Sequence, residues 1–353
     1  MPYESDLALR LTPYVAGEQP KNVKLIKLNT NENPYPPSPK VAEAIAAVPA
    51  DALRLYPDMD AAALCAAIAR VNGVSPDMVF CGNGSDEVLA FAFAAFFAGK
   101  RLLAPDVTYS FYPVYADLFG VDYQTVPLTE KFEVDVDGLM QGCPVALANP
   151  NAPTGMLLKS AEVQKLAAHT RQNGAVLLVD EAYAAFSPEN ALPLLADFDN
   201  VLITRTFSKS HALAGMRIGY AIGSPRLISA LKRIRDSFNS YPLDLLAQRA
   251  ATAAVSDVAY TRVVVNKVIA ARDRCRERLM KAGIEVLPSA TNFLFVSTGE
   301  EDAAPVQRAL KYEGILVRHF TAPRLKAWLR VTVGTEEDMA VVTQALIRLI
   351  KKE

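Results

Sequence analysis

One lysine with a serine on either side, Ser208-Lys209-Ser210, follows the apolar run Val201-Leu202-Ile203 and precedes Ala212-Leu213-Ala214-Gly215-Met216-Arg217. The run before it reads as a buried strand, so Lys209 emerges close to a strand end. A lysine there is ordinarily a solvated surface charge. The residues after this one are too small and apolar for a wet face, and Arg217 can return a second cation to the same place. An amine in such a cleft can lose its proton and attack a carbonyl, forming a Schiff base. Asp180 closes another apolar run, Val176-Leu177-Leu178-Val179; its plain role would be a helix or turn cap. Tyr183 stands three residues later, where most tyrosines simply pack. Gly82-Asn83-Gly84-Ser85-Asp86-Glu87 opens a strongly apolar helix. Ser-Asp after turn glycines is first of all a cap, but the same geometry points free N–H groups outward and makes an anion seat. No third glycine completes a dinucleotide pattern, since Glu87 stands there, and no Walker-type lysine follows. A monophosphate is the better fit.

The elements that must carry these groups alternate. Strands are predicted at 102–104, 121–126, 145–148, 175–179, 201–203 and 218–222, with helical or irregular segments between them and Ser160 as the cap of a helix ending near Gly174. Such alternation implies an α/β fold: a mostly parallel sheet with helices on both faces. Ligands of such sheets sit beyond the carboxyl ends of the strands, where Asn151, Asp180 and Lys209 fall. Beyond about 240 the pattern becomes a long charged helix over roughly 260–282, short strands at 293–296, 315–317 and 328–333, and a last helix opened by a Thr335/Asp338 capping box. That reads as a smaller α+β domain. The proline-rich first 35 residues read as an extended arm. The expected division is therefore an arm over 1–35, a large domain over 36–240 and a small domain over 241–353.

With 353 residues, 51% of them apolar, the chain can bury a large core. A net charge of −1 argues against nucleic-acid or anionic-membrane binding. The four cysteines lack metal-ligand spacing, so reduced thiols and no metal site are expected. Acidic residues occupy the N-terminus where a secretory signal would carry lysines. The apolar stretch 88–97 falls well short of the roughly 20 residues a membrane crossing needs. A cytoplasmic location is expected.

The block Ser208-Lys209 followed by Ala212-Leu213-Ala214-Gly215-Met216-Arg217-Ile218-Gly219-Tyr220 resembles the cofactor-lysine segment of fold-type I, pyridoxal-phosphate-dependent aminotransferases, and within them the histidinol-phosphate aminotransferase family. The resemblance covers nearly the whole chain. It implies pyridoxal 5'-phosphate as cofactor, with Lys209 as Schiff-base lysine and general base. Asp180 would pair with the ring nitrogen, Tyr183 would reach the phenolic oxygen, and Ser85, Asp86, Ser208 and Arg217 would hold the phosphate. Tyr109 would stack on the ring. Tyr56 would reach the cofactor phosphate of a second subunit, which implies a homodimer with shared sites. Arg330, helped by Arg318, Tyr14 and Asn31, would bind the anionic groups of small-molecule substrates. The implied reaction converts L-histidinol phosphate and 2-oxoglutarate to imidazole-acetol phosphate and L-glutamate. Related families with the same fold transaminate aromatic amino acids or decarboxylate threonine phosphate. A DNA-binding regulator built on this fold would need a basic module for which the chain has neither room nor charge.

One motif departs from the family, which usually reads Asn-Asn-Pro-Thr-Gly with the second asparagine on the phenolic oxygen. This chain reads Asn149-Pro150-Asn151-Ala152-Pro153-Thr154-Gly155. The expectation is that Asn151 turns inward to make that bond, with Tyr183 carrying it alone as the alternative. His211 and His319 are expected to be structural or substrate-adjacent.

Overall fold

The computed structural model describes residues 3–13, 18–19 and 25–352. Strand β1 (Ile26–Leu28) comes from the N-terminal arm. The large sheet holds β2 (Val79–Asn83), β3 (Arg101–Pro105), β4 (Asp122–Val126), β5 (Val145–Ala148), β6 (Leu177–Asp180), β7 (Val201–Thr206) and β8 (Ile218–Gly223). A smaller sheet combines β1 with β9 (Phe293–Ser297), β10 (Ile315–His319) and β11 (Trp328–Thr332). The large sheet runs β2-β8-β7-β6-β5-β3-β4, and only β8 opposes the rest. This is the mostly parallel α/β architecture with a second, smaller unit.

Period-two alternation assigns each central strand residue to one of two cores. Leu178 and Leu202 point into a cluster with the helix Gly84–Ala92, its π-helical continuation Phe93–Phe97 and the helices Tyr112–Phe119 and Pro225–Phe238. Leu177, Val179, Val201 and Ile203 point the other way, onto the helix Ser160–Gln172. Ser160 does not cap that helix. It is the first helical residue, and its N–H donates to Glu189 Oε2 at 2.9 Å.

The helix Leu245–Ser256 packs with Ala62–Asn72 and with the β2 residues Val79 and Cys81. The long helix Val258–Lys281 instead gives Val265, Val268, Ala271, Cys275 and Leu279 to the core of the small unit. The two helices, joined at Asp257, thus serve different apolar clusters. The arm is also less free than its prolines suggest, because β1 pairs in parallel with β10, Ile26 opposite Ile315 and Leu28 opposite Val317. The last helix, Glu336–Lys351, begins with the expected capping box between Thr335 and Asp338. Among the described residues no helix is long and apolar enough to cross a membrane.

Candidate functional site

A cavity of about 380 Å³ opens beyond the carboxyl ends of β5, β6 and β7, a volume in the range of small-ligand pockets. Asp180 ends β6, in register with Ala148 on one side and Thr204 on the other, and is buried. Its carboxylate accepts from Tyr112 Oη at 3.1 Å, from the Ala182 N–H at 3.2 Å and from Thr204 Oγ1 at 3.4 Å. Burial outweighs those bonds and pushes its pKa up to about 6. These three donors are neutral, so a positively charged N–H from a bound ring would relieve the desolvation. That is the fit a pyridinium nitrogen requires.

Lys209 lies three residues past β7 and donates from Nζ to the Thr30 carbonyl at 3.2 Å. Burial first, then the charges of Arg330 and Arg217 against the pull of Glu32 and Asp86, lower its pKa to about 8. That raises the unprotonated fraction at neutral pH by roughly two orders of magnitude over an ordinary lysine. The arm also holds the lysine's backbone, since Asn33 Nδ2 donates to the Lys209 carbonyl at 2.9 Å.

The anion seat is built by close packing. β8 passes so near the start of the helix Gly84–Ala92 that a Cβ on Gly219 would collide with the Ser85 nitrogen. Gly84, at φ +81°, leaves room for the Arg217 guanidinium where a Cβ would fall 2.5 Å from Nη2. Glu87 reaches back to the Asn83 N–H at 2.6 Å, so the free N–H groups of the first turn remain for a ligand. Ser85, Ser208 and Arg217 line the cavity beside them. Asp86 lines it too, but its carboxylate is committed to Tyr109 Oη at 2.8 Å and Arg217 Nη2 at 3.0 Å. It braces the tyrosine and the arginine, and as a carboxylate it would repel a phosphate rather than hold one.

Tyr183 lines the same cavity, and Asn31 Nδ2 donates to its hydroxyl at 2.8 Å. Asn31 therefore contacts a cavity wall instead of standing free for substrate. Asn151 does not turn inward. Its amide donates to the Val107 carbonyl at 2.9 Å and to Thr154 Oγ1 at 3.0 Å, and it lines a neighbouring cleft, while Ala152 faces the site. The alternative, Tyr183 without an asparagine at 151 or 152, is what the geometry leaves. Asn149–Pro150 and Ala152–Pro153 are both cis.

Arg318 and Arg330 stand directly opposite each other on β10 and β11. Like charges so paired destabilise a sheet unless something anionic lies between them. Both guanidinium groups lie over the Phe320 ring, at 5.7 and 5.6 Å. Neither lines the cavity itself, yet Arg330 is close enough for its charge to depress Lys209. Tyr56 is far more exposed, at 82%, and stacks on Tyr241 with ring centroids 4.7 Å apart; it lies outside this cavity. Tyr14 lies outside the described residues. His211 is half-buried, tilted on Phe207 and bonded to Ser210, and desolvation of its ring holds its pKa down at about 4. His319 bonds the Lys326 carbonyl and Asp302. Neither histidine is near a metal-ligand cluster, and none exists among the described residues. Sequence reasoning missed Tyr112, the first residue of the helix Tyr112–Phe119 and three positions after Tyr109, and missed Thr30 as the lysine's acceptor.

The chain belongs to the aminotransferase class I and II family, whose model matches residues 23–346. A protein called histidinol-phosphate aminotransferase from Acetobacter pasteurianus is 52% identical over 97% of this chain and 96% of its own length. One of the same name from Aromatoleum aromaticum is 47% identical over 99% of both. Among solved structures, the histidinol-phosphate aminotransferase of Sinorhizobium meliloti in complex with pyridoxal-5'-phosphate superposes with a TM-score of 0.88 at 29% identity, covering 100% of this chain and 98% of that one.

Proposed function

We propose that the chain is a pyridoxal 5'-phosphate-dependent aminotransferase that acts on L-histidinol phosphate, with 2-oxoglutarate as amino acceptor. The observation that carries the cofactor is the meeting of a depressed lysine amine, a buried carboxylate and a helix N-terminal anion seat in one cavity. The cofactor, when bound, supplies the electron sink. The chain's residues do the rest. Lys209 would hold the cofactor's aldehyde and carry the proton to and from the substrate carbon. Asp180 would keep the ring nitrogen protonated. Ser85, Ser208 and Arg217, with the first-turn N–H groups, would hold the phosphate. Tyr183 would donate to the phenolic oxygen, and Tyr109, fixed by Asp86, would flank the ring.

The substrate reading is supported by relatives near 50% identity that carry the name histidinol-phosphate aminotransferase, and by the opposed Arg318 and Arg330. A guanidinium pair can take a phosphate from one amino donor and a carboxylate from the other. A homodimer completes the reading. Tyr56 is exposed and stacks on the exposed Tyr241, and the exposed Leu53, Leu55 and Phe238 lie within three residues of one or the other along the chain, apolar surface suited to a second copy. The test is turnover with 2-oxoglutarate as acceptor. The expected result is that kcat/KM for histidinol phosphate exceeds that for phenylalanine and tyrosine by a hundredfold or so, the size of a buried ionic contact. A preference for either aromatic amino acid would overturn the substrate and leave the cofactor chemistry standing.

A further inference from the structure

Asn31 is held more tightly than a substrate-side asparagine needs to be. It is buried and left-handed, at φ +57°. Its N–H donates to Thr332 Oγ1 at 3.0 Å, Thr332 Oγ1 donates to its Oδ1 at 3.0 Å, and Asn292 Nδ2 donates to its carbonyl at 3.0 Å. With the Thr332 hydroxyl donating to Oδ1, the side-chain amide directs Nδ2 onto Tyr183 Oη at 2.8 Å. The next residue back, Thr30, accepts the Lys209 amine. One turn of the arm thus touches both the amine and the phenol.

We propose that Asn31 is a positioning residue: its amide, fixed by Thr332, occupies a lone pair of the Tyr183 oxygen and so turns the phenol hydrogen toward the phenolic oxygen of the cofactor. An amide nitrogen only donates, so the tyrosine cannot donate back to it. Accepting that bond also strengthens the hydrogen the tyrosine gives. Thr332 lies two residues from Arg330, on the same face of β11, so the device ties the strand bearing the substrate arginine to the cofactor wall. This inference rests on the cofactor reading above.

A donor on the phenolic oxygen stabilises its negative charge and lets the lysine nitrogen joined to the cofactor give up its proton at lower pH. The test is the pH midpoint of the bound cofactor's visible absorption in wild type, Asn31→Gly, Tyr183→Phe and the double variant, each first checked for a folded thermal transition. Glycine suits the positive φ; should it fail to fold, the isosteric Asn31→Asp replaces it, since aspartate also tolerates that backbone. The midpoint is expected to rise by about one pH unit in N31G, the size of a hydrogen bond to a charged oxygen, and N31G should add nothing in the Y183F background. An unmoved midpoint in N31G, or a shift of the same size without the tyrosine hydroxyl, overturns the proposal. A wild type with no bound absorption, or one that survives Lys209→Ala, overturns the cofactor reading instead.

Discussion

Asp180 shows what a single residue costs and supplies. Its folded-state pKa of about 6 lies above the ordinary 3.8 because the carboxyl is desolvated. Without cofactor, the folded chain keeps a proton that the unfolded chain releases from about pH 4 upward. The stability from this group is therefore fully present below about pH 4 and is lost as pH rises through 6. Asp180→Asn removes that penalty. The cofactor-free variant should be more stable than wild type at pH 7, by up to roughly 3 kcal/mol, and should lack the part of the wild type's loss of stability above pH 4 that Asp180 causes. Turnover should fall on the order of a hundredfold, since the ring nitrogen loses its charged partner. Thermal scans of both apo-proteins across pH decide it. A destabilised D180N would mean that the carboxylate already has a compensating partner in the fold.

At the scale of elements, the strands of the large sheet were legible because burial on both faces makes them continuous apolar runs, as in β5 and β6. Lys209 and Asp180 were legible for the same reason: each interrupts such a run at its carboxyl end. Strand β1 was not, because it has three residues with only Leu28 buried, and prolines dominate its surroundings. The Asn151 expectation failed on local chemistry. An asparagine followed three residues later by threonine can donate to that hydroxyl, and Asn151 does so on Thr154, which turns its amide nitrogen away from the site while its Oδ1 stays buried without a partner. The contacts of Thr30 and Asn31 span 152 to 301 residues of chain, a separation that no local pattern encodes. The small unit's boundary was blurred because Leu245–Ser256 and Val258–Lys281 are adjacent helices that serve different cores.

At the scale of the molecule, two cores meet around one cavity, and the N-terminal arm joins them by pairing with the small sheet while its next turn contacts the lysine. The stacked Tyr56 and Tyr241 lie elsewhere, near in the chain to Leu53 and Phe238, which are 58% and 79% exposed. Such a surface is expected to be covered by a second copy, so the protein should sediment at twice the chain mass, and Leu53→Lys with Phe238→Lys should return it to a monomer. A wild-type monomer at micromolar concentration would remove Tyr56 from the active site altogether. The proposed chemistry depends first on the amine of Lys209. Reconstitution with pyridoxal 5'-phosphate, reduction with borohydride and mass spectrometry of the digested protein read that directly. The expected result is a pyridoxyl group on the peptide carrying Lys209 and on no other; an unmodified Lys209, or a label on a surface lysine in its place, would contradict the account.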